Sequence, residues 1–224
     1  MSERGHATGS SLTDMMASLF AIFVLLFVVA QNNRGAGAKS ARERLIKQLQ
    51  GELPAAGIES ANIMGDPTDP YTVLIVLPDS VLFPRGSAVM IEAGRQVVRR
   101  FTPRLASILC STTTPPDAKK EQPWRIDRVV VEGHTDTTWS KDATRAERRK
   151  RNLVLSQQRA MNYVQESVDT LVAGSGPIDC FLPLVSASGR GQEELRPDAP
   201  DDGPAQRRVV LRLRLASEQD RGKN

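Results

Sequence analysis

The sequence predicts an α+β domain with a mixed sheet, an α/β sandwich, that follows one N-terminal transmembrane helix. Three observations predict it: a long apolar run near the N-terminus, later elements in the order strand, helix, strand, helix, strand, strand, and a last strand that alternates apolar residues with arginine. That order favours a mixed sheet with its helices on one side. The predicted segments are a short tail (1–11), the transmembrane helix (12–30), a linker (31–57), the domain (58–216) and a C-terminal tail (217–224).

The predicted span is LTDMMASLFAIFVLLFVVA, residues 12–30. As a helix these residues would extend roughly 28 Å, close to the thickness of a bilayer core. The alternative is a cleavable signal peptide, because Val28 and Ala30 resemble a small-residue cleavage site. Against that alternative, Glu3 offsets Arg4, and an acid stands where a signal peptide prefers a base. We therefore predict a retained anchor.

Asp14 is the one ionisable residue in the predicted span. On a helix it shares a face with Ala17, Ser18 and Ala21, a small and polar stripe suited to helix packing. A carboxylate within hydrocarbon costs a few kcal/mol unless it is neutralised or turned toward protein or water, so it is a candidate functional residue. The alternative is that Asp14 lies in the membrane interface and only caps the helix.

The linker contains a short amphipathic helix, Ser40–Leu53, with two interpretations. It is either a solvated spacer or a segment that packs on the membrane or on a partner helix. A proline at position 103 is expected to kink or restart the first domain helix, with Thr102 as a cap. The predicted domain elements are strands at 58–64, 72–78, 125–132, 180–186 and 208–215, and helices at 87–109 and 152–171.

Composition excludes several classes of function. The net charge of +4 is small and spread along the chain, which does not predict nucleic-acid binding. The two cysteines, Cys110 and Cys180, form no CxxC motif, and no histidine–cysteine cluster has metal-ligand spacing, so no metal is expected. Outside the cytoplasm they would form a disulfide; inside it they would stay reduced. With His6 and His134 as the only histidines and no nucleophile motif, we predict neither an enzyme nor a cofactor.

Four local patterns carry a resemblance to a known family. They are VLFPRGSAVM (81–90), VVVEGHTDTT (129–138), NLVLSQQRA (152–160), and GRGQEELRP followed by QRRVVLRL (189–213). In this order they resemble the OmpA-like peptidoglycan-binding domain. The chain departs from the family in a longer, strongly basic loop at 137–151, and in Gln206, where the family usually has asparagine.

The resemblance implies a binding site for the diaminopimelate side chain of the cell-wall peptide. By the family's pattern, Asp136 receives the ligand's ammonium group and Arg159 its carboxylate, and Thr135 and Arg208 are further expected contacts. The chemistry agrees, since one carboxylate and one guanidinium can hold a zwitterion by charge-assisted hydrogen bonds. From the residues alone, Asp136 would open a turn after the strand and Arg159 would lie on a solvated helix face.

A single span with an early aspartate before an OmpA-like domain resembles the B subunit of an ion-driven stator. This architecture occurs in MotB of the flagellar motor and in ZorB of the Zorya anti-phage system. The resemblance implies that Asp14 carries the coupling ion, for which we predict a proton, with sodium as the alternative. It also implies a homodimer, a surrounding ring of multi-span A subunits (MotA/ZorA-like), and diaminopimelate-type peptidoglycan as partner. The short tail and a span without Trp or Tyr favour the Zorya type; the rival is a static OmpA-like tether.

The resemblance also places the N-terminus in the cytoplasm and the domain in the periplasm, across the bacterial inner membrane. Charge bias favours the opposite orientation, since Arg34, Lys39, Arg42 and Arg44 follow the span and only Arg4 precedes it. We adopt the orientation that the resemblance implies. In the oxidising periplasm the two cysteines are then predicted to form a disulfide.

Overall fold

The computed structural model describes residues 7–52, 54, 62–111, 125–138 and 143–216. Between Ser40 and Ala41 the chain divides into two compact units. Helix α1 (Ala7–Glu52) contributes to both. The predicted C-terminal tail and residues 1–6 lie outside the described residues.

The first unit contains the apolar part of α1. Thr13–Ala30 has a mean hydropathy of 2.3 and exposed side chains, so by length and composition it could cross a membrane. The predicted linker at 31–57 differs in the structure, where α1 continues helical to Glu52. Its Gln, Ala, Arg and Lys residues are good helix formers, and each glycine in this stretch costs only about 1 kcal/mol.

The last turns of α1 belong to the second unit. Leu45 and Leu49, one helical turn apart, are completely buried in its core. Arg42 Nη1 donates hydrogen bonds to the carbonyl oxygens of Asp66 (2.9 Å) and Asp69 (3.3 Å). Both interpretations of the amphipathic helix are therefore wrong: the segment packs on the domain itself.

The second unit is built on a five-stranded sheet. Its strands are β1 (Asn62–Gly65), β2 (Thr72–Pro78), β3 (Ile126–His134), β4 (Val185–Gly191) and β5 (Arg208–Leu215). They lie in the order β1-β2-β5-β3-β4; β3 and β4 are parallel and the other pairs antiparallel. The predicted α+β fold with a mixed sheet is thus confirmed. The bounds of β2 and β5 are those predicted, while residues 58–61 of the first predicted strand lie outside the described residues.

Four further helices accompany the sheet: α2 (Asp79–Leu82), α3 (Glu92–Ser111), α4 (Arg145–Ala173) and α5 (Ile178–Leu184). The β5 residues that belong to the hydrophobic core alternate, Val209, Leu211, Leu213 and Leu215, and join α3 and α4 in that core. The restart expected at Pro103, with Thr102 as a cap, is absent, because α3 runs through this residue. Pro103 is on the exposed side of α3, where the carbonyl that it leaves without a donor can bind water.

Helix α4 begins at Arg145, about two turns before the predicted start. Thr144 is its N-cap and forms a capping box with Glu147, whose carboxylate accepts a hydrogen bond from the Thr144 backbone N–H at 2.8 Å. The T-x-x-E spacing was present in the sequence. Much of the predicted basic loop is therefore the start of a helix.

The predicted strand at 180–186 is wrong. Residues 178–184 form α5, and β4 follows at Val185–Gly191. The reason is close packing of β4 against α4: a Cβ on Gly189 would come within 2.6 Å of the backbone nitrogen of Gln157. A strand in this position needs small residues, and VSASGRG lacks the bulky pattern by which strands are usually predicted.

The predicted disulfide between Cys110 and Cys180 is confirmed. It joins the last turn of α3 to α5, with 5.9 Å between the Cα atoms, so Cys180 is in a helix and not at the start of a strand. The bond closes a loop of 70 residues. Such a cross-link stabilises chiefly by restricting the unfolded chain.

We expect the Cys110→Ser/Cys180→Ser variant to lose about 3 kcal/mol of unfolding free energy, the usual effect of a native disulfide. Urea denaturation of the full chain in detergent, followed by circular dichroism, measures the loss. Adding reductant should destabilise the parent by a similar amount and leave the variant unchanged. Equal midpoints for parent and variant without reductant would contradict the prediction.

Candidate functional site

A polar cavity of about 230 Å³ lies where β3 ends and α4 passes over it. Arg85 and Gly86, from the loop after α2, line one side, and Thr135, Asp136 and Thr138 follow β3. Asn152, Leu155 and Arg159 come from α4, and Arg207 directly precedes β5. The structure thus brings together three of the four predicted contacts, Thr135, Asp136 and Arg159.

Close packing of α4 on β3 creates this arrangement. A Cβ on Gly133 would lie 2.1 Å from the carbonyl oxygen of Ser156, so only glycine permits the approach. Ser156 also accepts a hydrogen bond from the backbone N–H of Gly191 at 2.9 Å, which fixes α4 against β4. The glycine of the GHTD motif and the serine of the LSQQRA motif therefore hold the cavity walls together.

Asp136 is only 4% exposed, and both carboxylate oxygens are engaged. Oδ2 is 2.5 Å from Arg207 Nη1 in an ion pair. Oδ1 accepts hydrogen bonds from Thr138, from the backbone N–H at 3.1 Å and from the hydroxyl at 2.6 Å. Asn152 Nδ2 donates to the Asp136 carbonyl at 3.0 Å. Asp136 therefore opens a turn, as the residues alone predict, and also presents a fixed carboxylate to the cavity.

Arg159 is 1% exposed, so the interpretation that places it on a solvated helix face is wrong. Its Nε donates to the carbonyl of Ser87 at 2.8 Å and its Nη2 to that of Pro84 at 3.2 Å. Its Nη1 is 3.0 Å from Asp79 Oδ2, an ion pair without hydrogen-bond alignment. The guanidinium also lies 5.5 Å from the centre of the Phe83 ring. Arg159 thus forms a wall of the cavity, and its contacts with Asp79, Pro84 and Ser87 fix its position.

Burial dominates the electrostatics of this pair. Desolvation raises the pKa of Asp79 to about 6, although Arg159 and Arg207 both act to lower it. Desolvation likewise lowers the pKa of Arg159, and the carboxylate of Asp79 opposes that change. Each charge is therefore retained in the interior largely because of the other.

Arg208 does not line the cavity, contrary to the contact expected there. It donates hydrogen bonds to the carbonyls of Gln206 (3.1 Å) and Glu194 (2.8 Å). Adjacent residues of an extended chain point to opposite sides, and Arg207 is the one that faces Asp136. The sequence shows two consecutive arginines, Arg207 and Arg208, but it does not show which of them faces the cavity.

Gln206, the other departure from the family pattern, is completely buried. Its Oε1 accepts from the Arg196 backbone N–H at 2.7 Å, and its Nε2 donates to the carbonyl oxygens of Arg196, Ala199 and Pro200 at 3.0–3.2 Å. Its role is to tie the preceding loop to β5. That fixes Arg207 one residue later.

A second charged cluster lies on the opposite face of the sheet. Glu132 is buried and accepts hydrogen bonds from Arg190 Nε (2.8 Å) and Arg212 Nε (2.5 Å). Burial alone would raise its pKa, but these bonds and the nearby His134 lower the pKa to about 2. Glu132, His134 and Glu194 place three ligand atoms within 4.8 Å of one another. Because the guanidiniums hold Glu132, we interpret the cluster as a structural network joining β3, β4 and β5 rather than as a metal centre.

Asp14 is exposed on α1, in the other unit of the chain. Ser18 donates its hydroxyl to the backbone carbonyl of Asp14 at 2.9 Å, a common arrangement of serine within a helix. The ion-carrying role of Asp14 stays a prediction.

No protein-family model and no curated protein matches the chain. Solved structures do match. A protein described as MotB-like from Desulfovibrio vulgaris has a TM-score of 0.55 and 17% identity, covering 80% of this chain and 94% of its own. The cell wall anchor of the T6SS from Pseudomonas aeruginosa has a TM-score of 0.47 at 21% identity, with coverage of 78% and 99%. The periplasmic domain of Helicobacter pylori MotB has 0.46 at 18%, with coverage of 72% and 86%. The chain therefore has the fold of a MotB-like protein.

Proposed function

We propose that this chain is a single-pass protein of the bacterial inner membrane whose periplasmic domain, of the OmpA-like family, binds diaminopimelate-type peptidoglycan without catalysis. The observation that carries the proposal is the cavity in which the Asp136 carboxylate meets two arginines, Arg159 and Arg207. Its volume is below the roughly 300 Å³ at which sites for drug-sized ligands begin, and suits one amino-acid side chain. The shared fold and the apolar helix support the proposal.

Binding would proceed by exchange of charge partners. The free end of the diaminopimelate side chain carries one ammonium and one carboxylate group. Its ammonium would replace Arg207 at Asp136, and Arg207, once released, would face the ligand's carboxylate together with Arg85. Arg159 would contribute positive potential from the wall of the cavity. Because Asp136 gives up an existing ion pair, the net gain from this contact is moderate.

The test of wall binding is Asp136→Asn. We expect a loss of about 2 kcal/mol, roughly thirtyfold in affinity, because the amide cannot balance the ligand's ammonium group. Co-sedimentation of the full chain with diaminopimelate-type sacculi measures it. The matched control is Asp127→Asn, which removes an acid from the surface of β3, where it pairs with Arg128. Equal sedimentation of the Asp136→Asn protein and the parent would refute the proposed site.

The proposal extends to an ion-driven stator, of which this chain would be the B subunit. Support comes from one span with a single acid, Asp14, ahead of a domain with a MotB-like fold. The partners would be a second copy of the chain and a ring of multi-span A subunits. The Zorya-type defence motor is our first candidate and the flagellar motor the second. A static tether would need no acid in its span, so substitution of Asp14 separates motor from tether.

A further inference from the structure

A second depression adjoins the cavity on the outer side of α4. This groove has a volume of about 460 Å³ and is lined by Gly86, Glu147, Lys150, Arg151, Val154 and Leu155 among others. Its α4 residues recur at intervals of three and four, so they form one continuous helix face. The groove has about twice the volume of the cavity, and most of its lining residues are exposed to solvent.

The groove and the cavity share two lining residues, Gly86 and Leu155. Gly86 has φ +71°, a left-handed conformation that favours glycine, and a Cβ there would meet nothing within 4 Å. Glycine is thus required by the backbone, and its lack of a side chain also keeps the passage open. A ligand chain whose side group enters the cavity can continue across Gly86 into the groove.

The segment of α4 beside the groove is strongly basic. Residues 145–151 contain five Arg or Lys residues and one acid, Glu147. Arg149 does not line the groove and forms a bidentate ion pair with Glu193 (2.9 and 2.8 Å). The Glu147 carboxylate accepts hydrogen bonds from Thr144. Lys150 and Arg151 are exposed on the groove wall, where Arg151 also acts on the Glu147 carboxylate and lowers its pKa. Glu147 and Arg151 form one favourable pair four residues apart, but five bases against one acid place more like than opposite charges at such spacings, so helix stability does not explain their concentration.

We propose that this groove is a second subsite, which binds the remaining carboxylates of the wall peptide through Lys150 and Arg151. The inference rests on the proposed function and deepens it. A wall peptide with a free glutamyl carboxylate is an extended, multiply anionic chain, complementary in charge to the groove. Val154 and Leu155 offer an apolar strip for its alanine methyl groups. Continuity with the cavity favours this occupant over an anionic membrane surface.

The test compares two muropeptides that both contain diaminopimelate and differ in one group: the glutamyl carboxylate is free in one and amidated in the other. The parent full chain should bind the free form about fivefold more tightly, the scale of two exposed charge contacts. Lys150→Gln/Arg151→Gln should bind the free form about fivefold more weakly than the parent and lose the preference. Its binding of the amidated form should be unchanged. Calorimetry in detergent at constant ionic strength measures all four affinities.

The control variant is Arg100→Gln/Arg104→Gln, which removes the same charge from an exposed face of α3. It should behave as the parent does. A Lys150→Gln/Arg151→Gln protein that still prefers the muropeptide with the free glutamyl carboxylate overturns this inference. The inference also fails if this variant binds both muropeptides as the parent does and loses binding only to anionic phospholipid vesicles. Either result leaves wall binding standing if Asp136→Asn still weakens it. If Asp136→Asn binds both muropeptides as the parent does, the proposed function itself fails.

Discussion

Replacing Asp14 with asparagine is expected to abolish the proposed ion-driven activity while expression, membrane insertion and the proposed wall binding persist. Asparagine keeps the size and much of the hydrogen bonding of aspartate, but it cannot change charge. Moving one charge through 100 mV supplies about 2.3 kcal/mol, and without an ionisable group at position 14 none of it reaches the protein. The loss should therefore be complete rather than graded.

The measurement is protection of cells from phage, or swimming, when the chain is produced with the proposed A-subunit partner. Ser18→Ala is the matched control, since it alters the same helix face and removes only the hydroxyl that binds the Asp14 carbonyl. Asp14→Glu tests whether any carboxylate suffices. If the Asp14→Asn protein supports either activity as well as the parent does, the stator proposal fails and a static tether replaces it.

Strands with a strong local signal could be predicted from the sequence. The bounds of β2 and β5 agree with the prediction because TVLIVLP and RVVLRLRL are dense in β-branched or alternating apolar residues. Strand β4 was missed because its residues have no strong local strand propensity. They are small because α4 packs closely against β4 at Gly189. The helix in the last turns of α1 was predicted, but the surface on which it packs was not, because an amphipathic helix shows that it packs, but not on what.

The candidate site divides in the same way. Motifs pointed to Asp136 and Arg159, because each belongs to a continuous pattern in the chain, and both line the cavity. Their contacts with a ligand stay a prediction. The partners of these residues could not be predicted, since Asp79 and Arg207 are distant in sequence and meet them only after the sheet and α4 assemble. The partners matter for the proposed binding, because Asp136 is already paired with Arg207 and would have to exchange that contact for a ligand.

Arg159 is expected to be more important for stability than its assignment as a ligand contact implies. Arg159→Gln should lower the unfolding free energy by about 3 to 5 kcal/mol at pH 7.5, the usual effect of removing one member of a buried ion pair. The substitution leaves the Asp79 carboxylate, 2% exposed, without its guanidinium partner. It also removes the donors to the carbonyls of Pro84 and Ser87. Urea denaturation followed by circular dichroism measures the loss.

The pH dependence identifies the cause. The pKa of Asp79 is about 6 in the folded protein against an ordinary 3.8, so the folded state binds more protons between these values. Stability from this group is therefore fully present below pH 3.8 and is lost as the pH rises through 6. Without Arg159 the pKa rises further, so the defect of Arg159→Gln should be smaller at pH 5 than at pH 7.5. The double variant Asp79→Asn/Arg159→Gln should recover much of the loss at pH 7.5, because neither member of the buried ion pair then carries a charge. A double variant as unstable as Arg159→Gln at both pH values would show that the ion pair is not the cause.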